Sequence, residues 1–493
     1  MEASKFDLTI MGAGPGGYVG AIYAAQRGLK VALVEGREVG GVCLHAGCIP
    51  TKTLVASVDL LRQLKTATQR GLGSASGETS FSVLQERRKR VVNQLTQGVK
   101  FLLNKQGVQI FHGWGSFLDR HTISIHDPTG GMEVGRLESP AIMIATGSKS
   151  SNLRGLACDG VAILHSGDML SLMQCPKHLI IIGGGYIGCE FAGILSALGG
   201  EVTVLEAQGR LLPGMDAELG QTLDRVFRKA GIKVVLNAQV KSVKHGEMVR
   251  VDLEDGTHWE ADKVLVSVGR VAHTEGLGLE AAGVALNGTA VAVNEHLETN
   301  VPGIYAVGDV TGKMPLAHVA SAQARYVVDR ILIGLGRVSA IQEPGGAMAS
   351  RTGFDYGAVP ACVFTSPEIA SVGLTESEAK EKGMSVRTSR FPFSACGKAV
   401  AIGETEGFVK LVAEEQSGRV VGGQILGPHA TELIGQVTLA VRARLTAGQL
   451  CETIFAHPTL AEAIHEAAEG LFGQPIHSIG RPRPVSAAGS PPS

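Results

Sequence analysis

An α/β fold is what the sequence predicts, with two nucleotide-binding βαβ units followed by a separate C-terminal α+β domain. Three observations lead there. A short apolar strand runs into a glycine cluster twice, at Leu8-Thr9-Ile10-Met11 before Gly12-Ala13-Gly14-Pro15-Gly16-Gly17 and at Ile180-Ile181-Ile182 before Gly183-Gly184-Gly185-Tyr186-Ile187-Gly188. Each cluster opens a helix of small and apolar residues, which gives way to a strand ending on an acid, Val31-Ala32-Leu33-Val34-Glu35 and Val202-Thr203-Val204-Leu205-Glu206. From about Glu343 the pattern changes to alternating strands, such as Phe408-Val409-Lys410-Leu411-Val412 and residues 420–425, with helices at the end.

The two units are copies of one pattern. Gly12 and Gly183 are 171 residues apart, and so are Glu35 and Glu206. Each copy has a first glycine for the turn (Gly12, Gly183) and a second that lets backbone approach a pyrophosphate (Gly14, Gly185). A third lets the helix pack on the strand (Gly17, Gly188). The helix N-terminus offers oriented N–H groups and positive potential to a diphosphate. One chain therefore carries two dinucleotide sites.

Between the copies, residues 81–103 have helical apolar spacing, and 108–125 read as short strands around Gly113 and Gly115. Ala141-Ile142-Met143-Ile144 is a buried strand ending in the turn Ala145-Thr146-Gly147-Ser148, and it should return to the first sheet. After the second copy, Val264-Leu265-Val266-Ser267-Val268-Gly269-Arg270 plays the matching part, and Gly303-Ile304-Tyr305-Ala306-Val307-Gly308-Asp309 is another strand delivering an acid. The tail from about Gln474, rich in Pro, Ser, Gly and Ala, reads as disordered.

Composition narrows the function classes. The 493 residues leave room for three or four domains, and a net charge of −1 without long charged blocks gives no reason to expect nucleic acid or an anionic membrane. Small molecules or proteins are the expected partners. The 66 glycines sit beside β-branched runs, as phosphate loops and tight turns do. The eight cysteines show neither metal-ligand spacing nor a secreted framework, and most read as small buried residues. Residues 179–200 read as buried strand, loop and helix, so no transmembrane segment is expected. Without an apolar leader before the first strand, the expected address is the cytoplasm, or an organelle stroma or matrix if the chain is a processed form.

Cys43 and Cys48 stand apart from the other cysteines. They lie in Gly40-Gly41-Val42-Cys43-Leu44-His45-Ala46-Gly47-Cys48-Ile49-Pro50-Thr51-Lys52, eight residues after Glu35. The small Ala46-Gly47 pair permits the turn that would bring two thiols to bonding distance, but spacing alone fixes neither turn nor pairing.

That stretch resembles the redox-active disulfide of the FAD-dependent pyridine nucleotide disulfide oxidoreductases, and the whole ordered chain follows the family's order of segments. The resemblance implies a Cys43–Cys48 disulfide, with Cys43 exchanging with substrate and Cys48 facing the flavin. It gives the first fingerprint to FAD, with Gly12, Gly14 and Gly17 at the diphosphate and Glu35 at the ribose. Thr146, Gly147, Ser148 and Asp309 complete that site. The second fingerprint, Gly183, Gly185 and Gly188, with Glu206 and Gly269, would bind the nicotinamide cofactor. Glu206 would repel a 2′-phosphate, which favours NAD, although Arg210 stands nearby.

By the same resemblance, Lys52 and Glu190 form an ion pair beside the flavin, where a cation stabilises reduced-flavin charge. His457 is the base, oriented by Glu462 and reaching the disulfide of the other subunit, so a homodimer is implied. The implied domains are FAD-binding (1–150), NAD-binding (151–272), a central segment completing the FAD site (273–343), a dimerisation domain (344–474) and a tail (475–493). The implied reaction is oxidation of dihydrolipoamide to lipoamide with NAD, as the E3 component of a 2-oxoacid dehydrogenase complex or of glycine cleavage, acting on lipoyl-domain proteins or H-protein. No metal is implied.

Rivals are glutathione- or mercuric-reductase-like enzymes, or a mainly structural or redox-sensing subunit of a larger complex. Mercuric and large thioredoxin reductases need a C-terminal cysteine pair, and no cysteine follows Cys451. Glutathione reductases carry basic residues after the second acid, where Ala207-Gln208-Gly209 stand here. Departures from the family pattern fall at Val271-Ala272-His273, at Val319 and at Cys396, which reads as an ordinary semi-buried thiol.

Overall fold

A computed structural model describes residues 2–73, 80–153, 155–337 and 353–479. They form two compact units, one from Met1–Gly183, Ala197–Glu201 and Val240–Asp355, the other from Gly184–Ser196, Val202–Gln239 and Tyr356–Ser493.

The first unit is organised by a five-stranded parallel sheet in the order Ile304–Ala306, Ala141–Ile144, Leu8–Met11, Val31–Glu35, Gln109–His112. Thus the strand ending in the Thr146 turn does return beside Leu8–Met11, and the strand delivering Asp309 pairs outside it. Alternation along these strands feeds two cores. Leu8, Ile10, Leu33 and Met143 pack on one face, toward helix α1 (Pro15–Gln26) and helix Ala317–Gly334. Met11, Val34, Ile142 and Ile144 pack on the other, against Phe117, Ile123 and Leu137. Burial on both faces explains why these strands read as continuous apolar runs.

Two helices, α2 (Gly41–His45) and α3 (Cys48–Lys65), follow the second strand, and α4 (Phe81–Lys105) packs along α3. The stretch Gly41–Lys65 is long and apolar enough, by length and composition, to cross a membrane. It is not one helix. Ala46 (φ −140°, ψ 22°) and Gly47 (φ −149°, ψ −111°) break it, and the longer part carries Lys52, Asp59, Arg62 and Lys65. Also in the first unit, His178–Ile182 pairs with Lys263–Val266, which pairs with Ile163–Leu164, all parallel.

In the second unit, Thr203-Val204-Leu205 pairs in parallel with Lys233-Val234-Val235, and helix Ala217–Lys229 packs against the latter strand. Its C-terminal part is a five-stranded antiparallel sheet ordered Ala361–Val363, Glu368–Gly373, Val420–Gly427, Phe408–Glu414, Val386–Pro392. Helices Ala430–Ala443 and Glu462–Gly470 cover the sheet, and Phe391, Leu411, Ile425, Ile434, Val437 and Ile464 form their shared core. Within this unit Lys410 reaches Asp216 at 3.0 Å, with both side chains nearly buried. Of the expected tail, the amides of Ile476 and His477 donate to Glu466 at 3.0 and 3.2 Å, and residues 480–493 lie outside the described residues, as does the expected boundary at 343–344.

Candidate active site: two phosphate loops and a cysteine pair

The two phosphate loops are built alike down to individual hydrogen bonds. Glu35 accepts from the amide of Ala13 at 2.7 Å and from that of Arg37 at 2.8 Å. Glu206 accepts from Gly184 and from Gln208, both at 2.7 Å. Donors and acceptors are all displaced by the spacing of the repeat. The first glycines are left-handed, Gly12 at φ 98° and Gly183 at φ 108°, and a Cβ on either would stand 2.5 Å from a carbonyl oxygen, of Ala145 and of Ser267. Only glycine fits both demands. A Cβ on Gly17 would overlap the Gly12 carbonyl, so only glycine lets the helix pack this closely on the turn.

Gly14 and Gly185 are different. A Cβ on either meets nothing of the protein within 4 Å, and neither has a positive φ. No protein contact requires glycine at these positions. The open space lies at the start of the fingerprint helices; α1 has Gly14 as its N-cap, without a side-chain cap, and Pro15 in its first turn, and the first-turn N–H groups of a helix point outward to an acceptor. The residues present therefore fit a diphosphate at each loop. Arg210, a possible 2′-phosphate partner by position, donates to the Pro213 carbonyl at 2.8 Å.

The remaining expected FAD residues meet in the first unit. Ser148 donates to the Asp309 carboxylate, and Arg270 donates to Ser148 Oγ at 2.8 Å and to the Ser148 carbonyl at 2.7 Å, its Nε lying 4.0 Å from Asp309. Thr146 donates to the His273 carbonyl at 2.8 Å, and the His273 amide donates to Gly147 at 3.0 Å. This absorbs one departure from the family pattern. His273 packs edge-on against Trp114 with ring centroids 6.4 Å apart, and burial together with Arg37 and Lys149 lowers its pKa. Val319, a second departure, is buried on helix Ala317–Gly334. Gly269 takes φ 122° just before the strand Arg270–Ala272.

Cys43 sits on α2 and Cys48 is the first residue of α3, on opposite sides of the Ala46-Gly47 break. Their side chains are in hydrogen-bond contact across it. That bond and burial push the Cys43 thiol well above its ordinary range, opposed by the nearby Lys52 cation. Tyr18, on α1, lies close enough that a Cys43 thiolate adds to the burial that raises its phenol pKa. Sequence reasoning passed over Tyr18 and Arg270. The signals were available, a polar aromatic just after Gly17 and an arginine after Gly269.

Glu190 lies nearly buried on helix Tyr186–Ala197 and accepts from the Phe364 amide at 3.0 Å. His457 and Glu462 do meet: Nδ1 stands 2.9 Å from the carboxylate, whose other oxygen accepts from the Thr459 amide at 2.8 Å. Burial alone would raise the Glu462 pKa, but the Thr459 amide and the imidazole outweigh it and the value falls. Glu462 is therefore an ionised orienter, leaving Nε2 of the imidazole as the working atom. The ring is 78% exposed.

The other cysteines differ from expectation. Of the six outside the pair, only Cys189 and Cys396 are buried and the rest are half-buried: Cys158 and Cys175 stand in loops, Cys362 on an edge strand and Cys451 on the short helix Ala447–Glu452. Cys396 is fully buried where a semi-buried thiol was expected; its thiol points at the Thr459 carbonyl, 3.5 Å away. Among the described residues no cluster of His, Cys, Asp or Glu could hold a metal.

Comparison with known proteins matches residues 6–324 to the model for pyridine nucleotide-disulphide oxidoreductases and residues 359–468 to that family's dimerisation domain. Similar curated proteins include the dihydrolipoyl dehydrogenase of Chlamydia muridarum, 40% identical over 96% of this chain and 98% of its own length. That of Bacillus subtilis is 39% identical over 96% of this chain and 100% of its own. Among solved structures, LpdA from Mycobacterium tuberculosis is 32% identical with TM-score 0.85, covering 95% of this chain and 100% of that one. The HOCl-induced flavoprotein disulfide reductase RclA from Escherichia coli is 28% identical with TM-score 0.80, covering 94% and 99%.

Proposed function

The chain belongs to the pyridine nucleotide-disulphide oxidoreductase family, and from that membership we propose that it oxidises dihydrolipoyl groups to lipoyl groups with FAD and NAD, as the E3 component of a lipoyl-bearing multienzyme complex. The observation that carries the reading is the thiol pair bridging the break between α2 and α3, on a chain whose relatives along nearly its whole length are named dihydrolipoyl dehydrogenase.

His457, held by Glu462, takes the proton of one substrate thiol. The thiolate attacks Cys43 Sγ of the disulfide, the Cys43–Cys48 bond breaks, and Cys48 leaves as a thiolate. The second substrate thiol, once deprotonated, attacks the substrate sulfur of the mixed disulfide and releases Cys43. The chemistry that bound FAD would supply is a two-electron acceptor for the reduced cysteines and a hydride donor toward NAD. A thiolate at Cys48 lies at the positive end of α3. Gly12, Gly14, Gly17, Glu35, Thr146, Gly147, Ser148 and Asp309 hold FAD in this reading, with Lys52 and Glu190 beside the flavin. Gly183, Gly185, Gly188, Glu206 and Gly269 hold NAD. Residues 1–150 with 273–343 then form the FAD part, 151–272 the NAD part and 344–474 the dimer interface.

The match to a dimerisation domain supports a homodimer in which exposed His457 serves the cysteine pair of the other subunit. The lipoyl arm of a 2-oxoacid dehydrogenase core or of H-protein is the proposed substrate, and the cytoplasm the proposed location. Anaerobic titration of the FAD-loaded protein tests the reading. Dihydrolipoamide and NADH should each raise a long-wavelength charge-transfer band and NADPH should not. The Cys48→Ser variant should keep FAD and lose lipoamide turnover; retained turnover sinks the scheme.

A further inference from the structure

His45 lies between the two cysteines, and the proposed reaction gives it nothing to do. Its Nε2 stands 2.9 Å from the Val39 carbonyl and 3.4 Å from Thr96 Oγ1 on α4. A carbonyl can only accept, so Nε2 carries the proton. The Thr96 hydroxyl spends its own proton on the Val92 carbonyl at 2.8 Å, so toward His45 it too accepts. One N–H is shared between the loop before α2 and the middle of α4. The donation is the same whether or not Nδ1 is protonated.

The two sulfurs need this unequally. Cys48 begins an 18-residue helix whose first turn is stapled by Thr51, with Oγ1 and amide both donating to the Gly47 carbonyl. Cys43 rides on a five-residue helix, a single turn that is unstable alone. The front of that turn is tied by the Gly40 amide to Ala13. Its back, next to the Ala46-Gly47 break, is tied by the His45 side chain.

We propose that His45 is a positioning residue for the redox pair, its Nε2–H pinning the Cys43 turn to Val39 and Thr96 so that the two sulfurs are held at bonding range. The inference rests on reading Cys43 and Cys48 as a redox disulfide. Preorganisation of two thiols favours the disulfide over the dithiol, because oxidation then orders less chain. Loss of this part-buried hydrogen bond should lower the disulfide's equilibrium constant about five- to tenfold, or ~20–30 mV for a two-electron couple.

The test equilibrates FAD-loaded protein in glutathione buffers of graded ratio, alkylates it, and measures the Cys43–Cys48 disulfide by mass spectrometry. His45→Leu, similar in volume but without a donor, should move the midpoint five- to tenfold toward the dithiol. His45→Gln, whose Nε2 reaches as far as the imidazole's, should restore it to within about twofold. Thr96→Val removes only the α4 arm, without touching the cysteine loop, and should move the midpoint about two- to threefold. A wild-type midpoint in His45→Leu, or a Gln variant as impaired as Leu, overturns the role of His45 alone. A wild-type protein that forms no Cys43–Cys48 disulfide at any ratio overturns the redox reading itself and this inference with it.

Discussion

Replacing Gly185 by alanine separates the two nucleotide sites. The added methyl meets no protein atom within 4 Å, and the residue is not left-handed, so folding should tolerate it. Reduced freedom of the unfolded chain contributes about 0.4–1 kcal/mol in favour of the variant. The methyl instead fills the space through which a diphosphate approaches the amides of the second loop. Losing one hydrogen bond to a charged group costs about 1.5–3 kcal/mol, equivalent to roughly 10- to 100-fold weaker binding of NAD. Calorimetric titration of the purified variant with NADH reads that loss directly. Its flavin absorbance and its anaerobic reduction by dihydrolipoamide should match wild type. Gly183→Ala is the contrasting control: at φ 108°, with a Cβ 2.5 Å from the Ser267 carbonyl, it should lower folded yield and thermal midpoint. Wild-type NADH affinity in Gly185→Ala, or loss of flavin with NADH binding intact, would refute the assignment of the second loop.

Three further outcomes follow from the same geometry. The Glu462 carboxyl has a folded pKa below its ordinary 4.5, so it adds stability above that pH and loses it as pH falls through the depressed value. Glu462→Gln should therefore lie below wild type in thermal midpoint at neutral pH, with the gap closing in acid, and it should lose turnover; a gap that widens in acid contradicts the sign. Lys410→Met leaves the Asp216 carboxylate, 9% exposed, facing no ammonium, which should destabilise the protein by about 3 kcal/mol in urea titration. Asp309→Asn removes the charge that faces Arg270 and Ser148, and dialysis should show FAD retained roughly tenfold less well.

Much of this site was legible in the chain because its parts are local. The phosphate loops announce themselves in a dozen residues, since turn, approach and packing each demand glycine at a fixed step, and the repeat supplied an internal control. The small Ala46-Gly47 pair read only as permitting a turn, and the break in the helix there is a finding of the structure. What escaped was long-range or one side chain deep. Arg270 joins Ser148 and Asp309 only after strands far apart in sequence are folded, and Tyr18 nears Cys43 across the first loop. Cysteine burial was misjudged because composition carries no information on which residues fall in loops, on an edge strand or on the outer side of a short helix, where Cys158 and Cys175, Cys362 and Cys451 stand. The His457–Glu462 contact came from resemblance, since a histidine five residues before an acid at a helix start has no distinctive pattern of its own.

The front of the cysteine turn rests on the first phosphate loop. The Gly40 amide donates to the Ala13 carbonyl at 2.8 Å, and a Cβ on Gly41 would come within 2.7 Å of Gly14 Cα. The seat proposed for the nucleotide and the seat of the two sulfurs therefore share backbone: a shift of the Ala13-Gly14 turn is felt at Gly40-Gly41, so a side chain that disturbs one disturbs the geometry of the other.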